Sequence, residues 1–457
     1  MNTLLAITGL GILVLLFEIL NFRKAIVPMT VVGLLGVLAL NIYEFNLVGG
    51  HYNNMIVIDR FATSFTTLFI VLTIFLIGLS SDFYKAIPGK LSDFIATKIF
   101  LLAGAIAMVS FGNLAMFFLG IEILSIALYV LAASNRLDIR SNEAGMKYFL
   151  MGSFASGFIL FGICLIYGAT GSFNVAEIHA ASAASQTPEW FFIGLVMMIV
   201  GMLFKVAAVP FHFWAPDVYE GSPTLTTTLM STLAKVVAIA ALYKIASTLI
   251  IDMPYAFEIL IVIISIASMT VGNIMALRQT NVKRMLAFSG ISHAGFMLMA
   301  LLSAKDAGGT LLYYASAYAL SGIAAFSVVI YIGKSNKGED IINFNGLGKS
   351  HPLLAAILTG ALLSMGGIPI FSGFFAKFML FTETINAGYM VVVIAAVINS
   401  IISIGYYFKI ILAMYTKESD EVMPSVPLSL HIVATVSILL NIAIGLFPSM
   451  VTDLLLT

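Results

Sequence analysis

Charge and cysteine are what this chain has least of. Only 10% of its 457 residues are charged, where an ordinary soluble domain carries about 25%. Lysine plus arginine number 22 and aspartate plus glutamate number 22. No basic excess is left to attract nucleic acid, and no nucleic-acid partner is expected. The single cysteine, Cys164, excludes a disulfide framework and a cysteine-ligated iron–sulfur cluster within the chain. It lies in an apolar stretch and is expected to be a small buried hydrophobe. The six histidines show neither H-x-x-x-H nor H-E-x-x-H spacing, so zinc chemistry has no support. No P-loop or dinucleotide fingerprint occurs, so the chain itself is expected to use neither ATP nor NADH and to hold no cofactor. No basic segment precedes the first apolar run and no small-residue cleavage site follows it, so that run is read as a permanent helix rather than a leader.

What the chain has instead is apolar length: 61% of it is hydrophobic. A helix needs about 20 apolar residues to cross the hydrocarbon core. Fourteen runs qualify, at 3–20, 25–42, 61–80, 94–110, 112–133, 145–169, 190–209, 223–249, 255–276, 284–303, 308–333, 352–369 continuing through 371–384, 386–415 and 428–449. They are too long and too uniformly apolar for barrel strands, and lipid admits only helices or closed barrels. The fold class is therefore an all-α polytopic membrane protein embedded in a lipid bilayer. The fourth and fifth runs are separated only by Ser110-Phe111-Gly112-Asn113.

Lysine and arginine set the orientation. With the first helix starting outside, the inner connections carry Arg23, Lys24, Lys85, Lys90, Arg136, Arg140, Arg278, Lys283, Arg284, Lys334, Lys337, Lys349 and Lys417, and the outer ones only Arg60 and Lys305. An even number of helices then places both termini on the outer face of a bacterial inner membrane.

Two runs look interrupted. Pro210 and Pro216 break FKVAAVPFHFWAPDVYEG, and Gly366, Gly367 and Pro369 break LLSMGGIPIFSGFFAKF. Proline removes a helix hydrogen bond and clashes with the preceding turn. Each break is either a simple kink or a discontinuous helix at mid-membrane, and paired broken helices in corresponding halves point to a transport site. The breaks fall in the seventh and twelfth runs, five helices apart, so two five-helix repeats would have inverted topology. The expected organisation is helices one to three over 1–93, a first repeat over 94–250, a second, inverted repeat over 251–415, and a last helix over 416–457.

Against this apolar background a few ionisable residues stand out. Lys205 lies in VMMIVGMLFKVAAVPF, Lys235 in LMSTLAKVVAIAAL, Lys377 in IPIFSGFFAKFMLF and Glu122 in NLAMFFLGIEILSIALYV. A charge at a transmembrane helix centre costs roughly 2.5 to 3.5 kcal/mol on insertion scales. Such residues mark proton relays or ion paths unless they snorkel to an interface or pair structurally. Desolvation disfavours a lysine's charged form and a nearby carboxylate favours it. A lysine with a movable neighbour can therefore hold or release a proton. Glu122 and Lys205 would form such a pair, with Lys235 passing the proton on to Lys377. That last step crosses the boundary between repeats and needs His293 or water. Lys147, which opens the sixth helix, is either an interface anchor or a relay partner of Glu122. His212 and His293 titrate in the right range for a proton shuttle, or are simply hydrogen-bonded.

The segments KVAAVPFHFWAPDVYEGSP (205–223), GMKYFLMGSFASGFILFGICLIYGATGS (145–172) and KRMLAFSGISHAGFML (283–298) resemble the antiporter-like membrane subunits of respiratory complex I, the proton-pumping NADH–quinone oxidoreductase. The VYEG form is similar to the subunit N branch in particular. The resemblance runs from about residue 60 to 415. It implies fourteen helices, inverted five-helix repeats and discontinuous helices seven and twelve. It also implies a role in proton translocation for Glu122, Lys147, Lys205, Lys235 and Lys377. The implied partners are protons and the other membrane-arm subunits, with NADH, FMN, iron–sulfur clusters and quinone handled in other chains. A multisubunit sodium/proton antiporter, a non-pumping scaffold and a membrane-bound hydrogenase arm are the alternatives.

Overall fold

The computed structural model describes residues 2–45, 51–52, 54–86, 90–184, 187–250, 255–303, 307–335, 338–418 and 424–456. It is helical throughout, apart from a short hairpin pairing His51–Tyr52 with Ile56–Val57. The helices are α1 (Asn2–Ile19), α2 (Ile26–Phe45), α3 (Arg60–Phe83), α4 (Leu91–Val109), α5 (Leu114–Ala132), α6 (Ile139–Thr170) and a short α7 (Val175–Ala183). Then come α8 (Trp190–Val206), α9 (Trp214–Gly221), α10 (Thr224–Leu229), a π-turn at Met230–Ala234, and α11 (Lys235–Leu249), which continues the same rod. The rest are α12 (Tyr255–Leu277), α13 (Val282–Leu298), α14 (Gly308–Ser335), α15 (Leu347–Ser350), α16 (Pro352–Gly366), α17 (Ser372–Asn386), α18 (Met390–Thr416), α19 (Leu428–Leu446) and α20 (Ser449–Leu456).

Among the described residues, twelve helices are long and apolar enough to cross a membrane. The two shorter apolar helices, Trp190–Val206 and Pro352–Gly366, fall where the sequence expects interruptions. The weak break between the fourth and fifth runs is a true turn. Phe111 bridges to Ile56, and the Asn113 carboxamide accepts from the Ala115 N–H at 2.8 Å, capping α5.

The rods Thr224–Leu249, Val282–Ser303 and Gly308–Ser335 each have an 18-residue stretch that is entirely buried within the bundle. A helix that is apolar all round belongs in such a centre, and these are the helices that carry Lys235, His293 and Tyr318. Close approach of neighbours rests on small residues. A Cβ at Gly104 would lie 2.9 Å from the Gly120 carbonyl of α5, and one at Gly162 would lie 2.5 Å from the Gly194 carbonyl of α8. Cys164 departs from the sequence expectation: it is exposed on α6 rather than buried.

The connections sort into two ends. At one end, the Gly112 N–H donates to Met55 O at 2.9 Å and the Val175 N–H donates to Gly112 O at 3.0 Å. Lys244 joins them, donating to the Asp59 carboxylate at 2.7 Å and to Val109 O at 2.6 Å. At the other end, Val282 N–H donates to Glu339 O at 2.8 Å, Lys334 donates to Asp82 O at 2.6 Å, and Lys349 pairs with Glu418 at 2.6 Å. Lys85, Lys283, Arg284, Lys334 and Lys349 thus share one basic end, as alternating helix directions require.

Candidate functional site

Lys205 sits in the last turn of α8. That helix stops because Ala207 turns left-handed (φ 61°), the Ala208 N–H closes back onto Leu203 O at 3.0 Å, and Pro210 follows. The break leaves the lysine projecting into the bundle. Its Nζ donates to Ser125 Oγ at 2.8 Å and lies 3.3 Å from Tyr129 OH and 3.4 Å from Ser156 Oγ. Ser125 and Tyr129 lie with Glu122 on one face of α5, at spacings of three and seven residues. The expected Glu122–Lys205 ion pair is not formed: hydroxyls take the lysine's donors, and Glu122 Oε1 is buried without a hydrogen-bond partner. The face is shared, but the carboxylate and the ammonium stand apart.

Lys235 follows the π-turn directly, and π-turns recur at functional sites. Its Nζ donates to Gly290 O on α13 at 2.7 Å. A Cβ at Gly290 would lie 3.0 Å from both Lys235 Nζ and Tyr318 OH, so glycine permits the three groups to converge. Tyr318 OH in turn meets Ser231 Oγ at 3.2 Å. One turn further along α13, the His293 ring stands 4.8 Å from the Tyr318 ring, centroid to centroid. Its Nδ1 bonds Tyr314 OH at 2.9 Å and its Nε2 faces Tyr407 OH at 3.3 Å. Tyr407 OH bonds Ser289 Oγ at 2.6 Å.

Lys377, on α17, reaches back across the second break. Its Nζ donates to Gly366 O at 3.0 Å, the carbonyl left free at the end of α16, and lies 4.9 Å above the Phe296 ring. α16 ends as α8 does: Gly367 is left-handed (φ 87°) and the Ile368 N–H returns to Leu363 O at 3.0 Å. A small cavity lined by His293, Tyr318, Ser321, Ser364 and Lys377 joins the histidine to the lysine. Lys235 and Lys377 are buried and Lys205 is partly buried; all three have hydroxyl or carbonyl partners, and among the described residues none of them forms an ion pair. Their hold on a proton therefore responds to any charge that arrives nearby.

Two expected site residues lie elsewhere. Lys147 is half-exposed at the basic end, paired with Glu143 at 2.7 Å and Asp217 at 3.5 Å. Carboxylates hold it there, and among the described residues it forms no ion pair with Glu122. His212 is buried beside Phe213, with its Nδ1 lacking a partner, and among the described residues no hydrogen bond or ring contact joins it to the three lysines. Sequence reasoning missed Tyr318, Tyr407, Ser289 and Gly290, which supply the groups between the charges. It also missed Lys98, fully buried on α4 with its Nζ on Ser80 Oγ at 2.8 Å. The Ser-Gly-x-Ser-His pattern at 289–293 was the available signal: four small or polar residues in an otherwise apolar rod.

The charged residues of the conspicuous motif 214–223 lie away from the three lysines, at the basic end. Arg284 Nη1 donates to Asp217 and Glu220, each at 2.8 Å, and Lys283 Nζ donates to Ser222 O at 2.8 Å. The motif clamps the first half of the chain to the second at the basic end.

Comparison with known proteins places these features in context. The family described as NADH:quinone oxidoreductase/Mrp antiporter, transmembrane, matches residues 112–403. The NADH-quinone oxidoreductase subunit N of Flavobacterium johnsoniae is 69% identical, over 100% of both chains. Among solved structures, a chain of respiratory complex I from Thermus thermophilus with bound aureothin superimposes with a TM-score of 0.85 at 30% identity, covering 99% of this chain and 98% of that one. A chain of the archaeal membrane-bound sulfane sulfur reductase gives a TM-score of 0.90 at 25% identity, covering 100% and 96%.

Proposed function

The chain belongs to the NADH:quinone oxidoreductase/Mrp antiporter membrane family, in its subunit N branch, and on that premise we propose that its three buried lysines form a lateral proton path across the bundle. The protein is a membrane-arm subunit of NADH–quinone oxidoreductase, and it carries protons across the membrane. Electrons pass from NADH through FMN and iron–sulfur clusters to quinone in the neighbouring subunits, and no redox step occurs in this chain. It spans the bacterial inner membrane in fourteen passes, with the basic end facing the cytoplasm and both termini outside. The passes over 94–250 and those over 251–415 form inverted repeats, each interrupted where a left-handed residue ends a half-helix.

The observation that supports this reading is the set of polar groups running from Lys235 through Tyr318 and His293 to the cavity beside Lys377, with Lys205 on its own hydroxyl cluster and, among the described residues, no ion pair on any of the three lysines. A charge displaced at a neighbouring subunit acts first at the Glu122 end, where Oε1 lacks a partner. A change there shifts the proton between Lys205 and its hydroxyls, and the field propagates to Lys235. The proton then crosses from the Tyr318–His293 pair through the cavity to Lys377 and leaves at the opposite face. Affinity purification with identification of the associated subunits tests the assignment. Co-purifying flavin and iron–sulfur subunits are expected. Recovery of cation-exchanger subunits alone would place the chain in a sodium/proton antiporter instead.

A further inference from the structure

A proton path that starts inside the bundle needs a group that delivers protons from water to Lys235. The basic end contains a group suited to that task. Glu339, in the connection between α14 and α15, is partly exposed: its side chain retains 21% of its accessible surface. Its Oε1 accepts from Thr224 Oγ1 at 2.8 Å, and Thr224 opens the rod that carries Lys235. The chain is held in place there by its own backbone, since Glu339 O accepts from the Val282 N–H at 2.8 Å. A side chain at Gly333 would strike the carboxylate, with a Cβ 3.0 Å from Oε1. The charged group facing Glu339 is Lys283, whose Nζ lies 3.6 Å from Oε1. Glu220 of α9 stands behind, on Arg284.

From Thr224 a column of hydroxyls runs inward along one rod. Thr224, Thr228 and Thr232 share a face at intervals of four residues, and all three are buried. Thr228 and Thr232 at present donate back to the carbonyls four residues before them, at 2.8 and 2.7 Å. Side chains at that spacing stand about 5–6 Å apart, a distance that one bridging water spans. Ser231, inside the π-turn, then meets Tyr318 OH at 3.2 Å, and Tyr318 shares the Gly290 site with Lys235. The rise from Thr224 to Lys235 is about 16 Å at 1.5 Å per residue. At the mouth of the column, Ser222 Oγ is buried without a hydrogen-bond partner beside the Lys283 contact to Ser222 O. A buried hydroxyl of that kind is costly unless it serves a further bond.

We propose that Glu339 is the carboxylate that takes protons from the aqueous phase at the basic end and passes them along the Thr224–Thr228–Ser231–Tyr318 hydroxyls to Lys235. The balance is simple: the carboxylate gains a proton from water, releases it to the Thr224 end of the column, and returns to its ionised form beside Lys283. The inference rests on the proton-carrying reading of Lys235. The rival is a purely structural staple, in which Lys283 and Glu339 only hold α10, α13 and the 338–341 connection together.

The test uses the intact oxidoreductase complex in sealed vesicles, with assembly followed on native gels and protons translocated per NADH oxidised as the readout. Glu339→Gln keeps the hydrogen bond from Thr224 but holds no proton, and is expected to lose translocation per NADH while assembling normally. Glu339→Asp is expected to restore it. Lys283→Met removes the ion pair and leaves the acceptor, and is expected to weaken assembly on native gels. A parent ratio in Glu339→Gln overturns the proposal, and so does a loss in Glu339→Gln that Glu339→Asp does not restore in an assembled complex. If Glu339→Gln does not assemble, Thr224→Val decides, since it keeps the shape and removes the hydroxyl; a parent ratio there overturns the proposal. Lys235→Ala runs alongside. A parent ratio in that variant defeats the underlying reading, whereas a loss in Lys235→Ala with none in Glu339→Gln defeats this inference alone.

Discussion

Gly290 decides how closely the central groups meet. A Cβ there would lie 3.0 Å from Lys235 Nζ and 3.0 Å from Tyr318 OH, closer than either can tolerate without moving. Gly290→Ala is therefore expected to push Lys235 off the Gly290 carbonyl and to lower protons translocated per NADH, with assembly of the complex retained on native gels. Tyr407→Phe probes the next group. It removes the hydroxyl that bonds Ser289 at 2.6 Å and faces His293 Nε2 at 3.3 Å while leaving the ring. It is expected to slow proton translocation more than it shifts thermal stability, because one buried hydrogen bond is worth only about 1 kcal/mol net. At this scale the lysines were legible because a charge within a membrane helix is costly enough to mark a functional group by default. Tyr318 and Tyr407 were not. The chain has 17 tyrosines, many in apolar runs, and only packing shows which hydroxyls point toward a lysine or histidine. Glu122 was legible as a member of the cluster but not as an unpaired one, because sequence places residues on a face without fixing which donor its neighbour prefers.

At the scale of elements, two half-helices end alike. α8 and α16 each close on a left-handed residue, with an N–H returning to a leucine carbonyl at 3.0 Å, Leu203 and Leu363 respectively. The lysine reaches each break by a different route, from the last turn of α8 in one case and from α17 in the other. Gly367→Ala tests how much the second break depends on its backbone. A left-handed alanine costs roughly 1–2 kcal/mol, and its Cβ would lie 3.0 Å from Lys377 Cδ. A lower thermal midpoint of the purified complex and weaker pumping are both expected. Ala207 already tolerates the same conformation at the first break, so Ala207→Gly is expected to leave pumping unchanged. Proline and glycine made both interruptions readable. The π-turn at Met230–Ala234 was not, since nothing in MSTLAK distinguishes one extra residue in a turn from regular helix. Length alone also failed to separate the enclosed central rods from lipid-facing helices, because both are uniformly apolar.

Across the whole molecule, the two halves are tied at the basic end by Arg284 on Asp217 and Glu220, by Lys283 on Ser222 O and by Thr224 on Glu339. Arg284 is partly exposed, so each of its pairs is worth at most about 1 kcal/mol and weakens as salt rises. Arg284→Ala is expected to lower the thermal midpoint of the complex at low salt, with the gap to the parent narrowing at high salt. The grouping of the connections was readable from lysine and arginine counts, because successive helices run in opposite directions and return the basic residues to one end. The clamp itself was hidden. Its residues form the most recognisable motif in the chain, yet in three dimensions they hold the halves together, while the proposed proton path runs through the less conspicuous serines and tyrosines of the central rods.

The most direct test of that path is the number of protons translocated per NADH oxidised by vesicles containing the assembled complex with Lys205→Ala, Lys235→Ala or Lys377→Ala. A lower ratio in each variant is the predicted result, with assembly and subunit composition unchanged. The parent ratio in all three variants, and in the triple replacement, would show that the buried lysines do not carry protons.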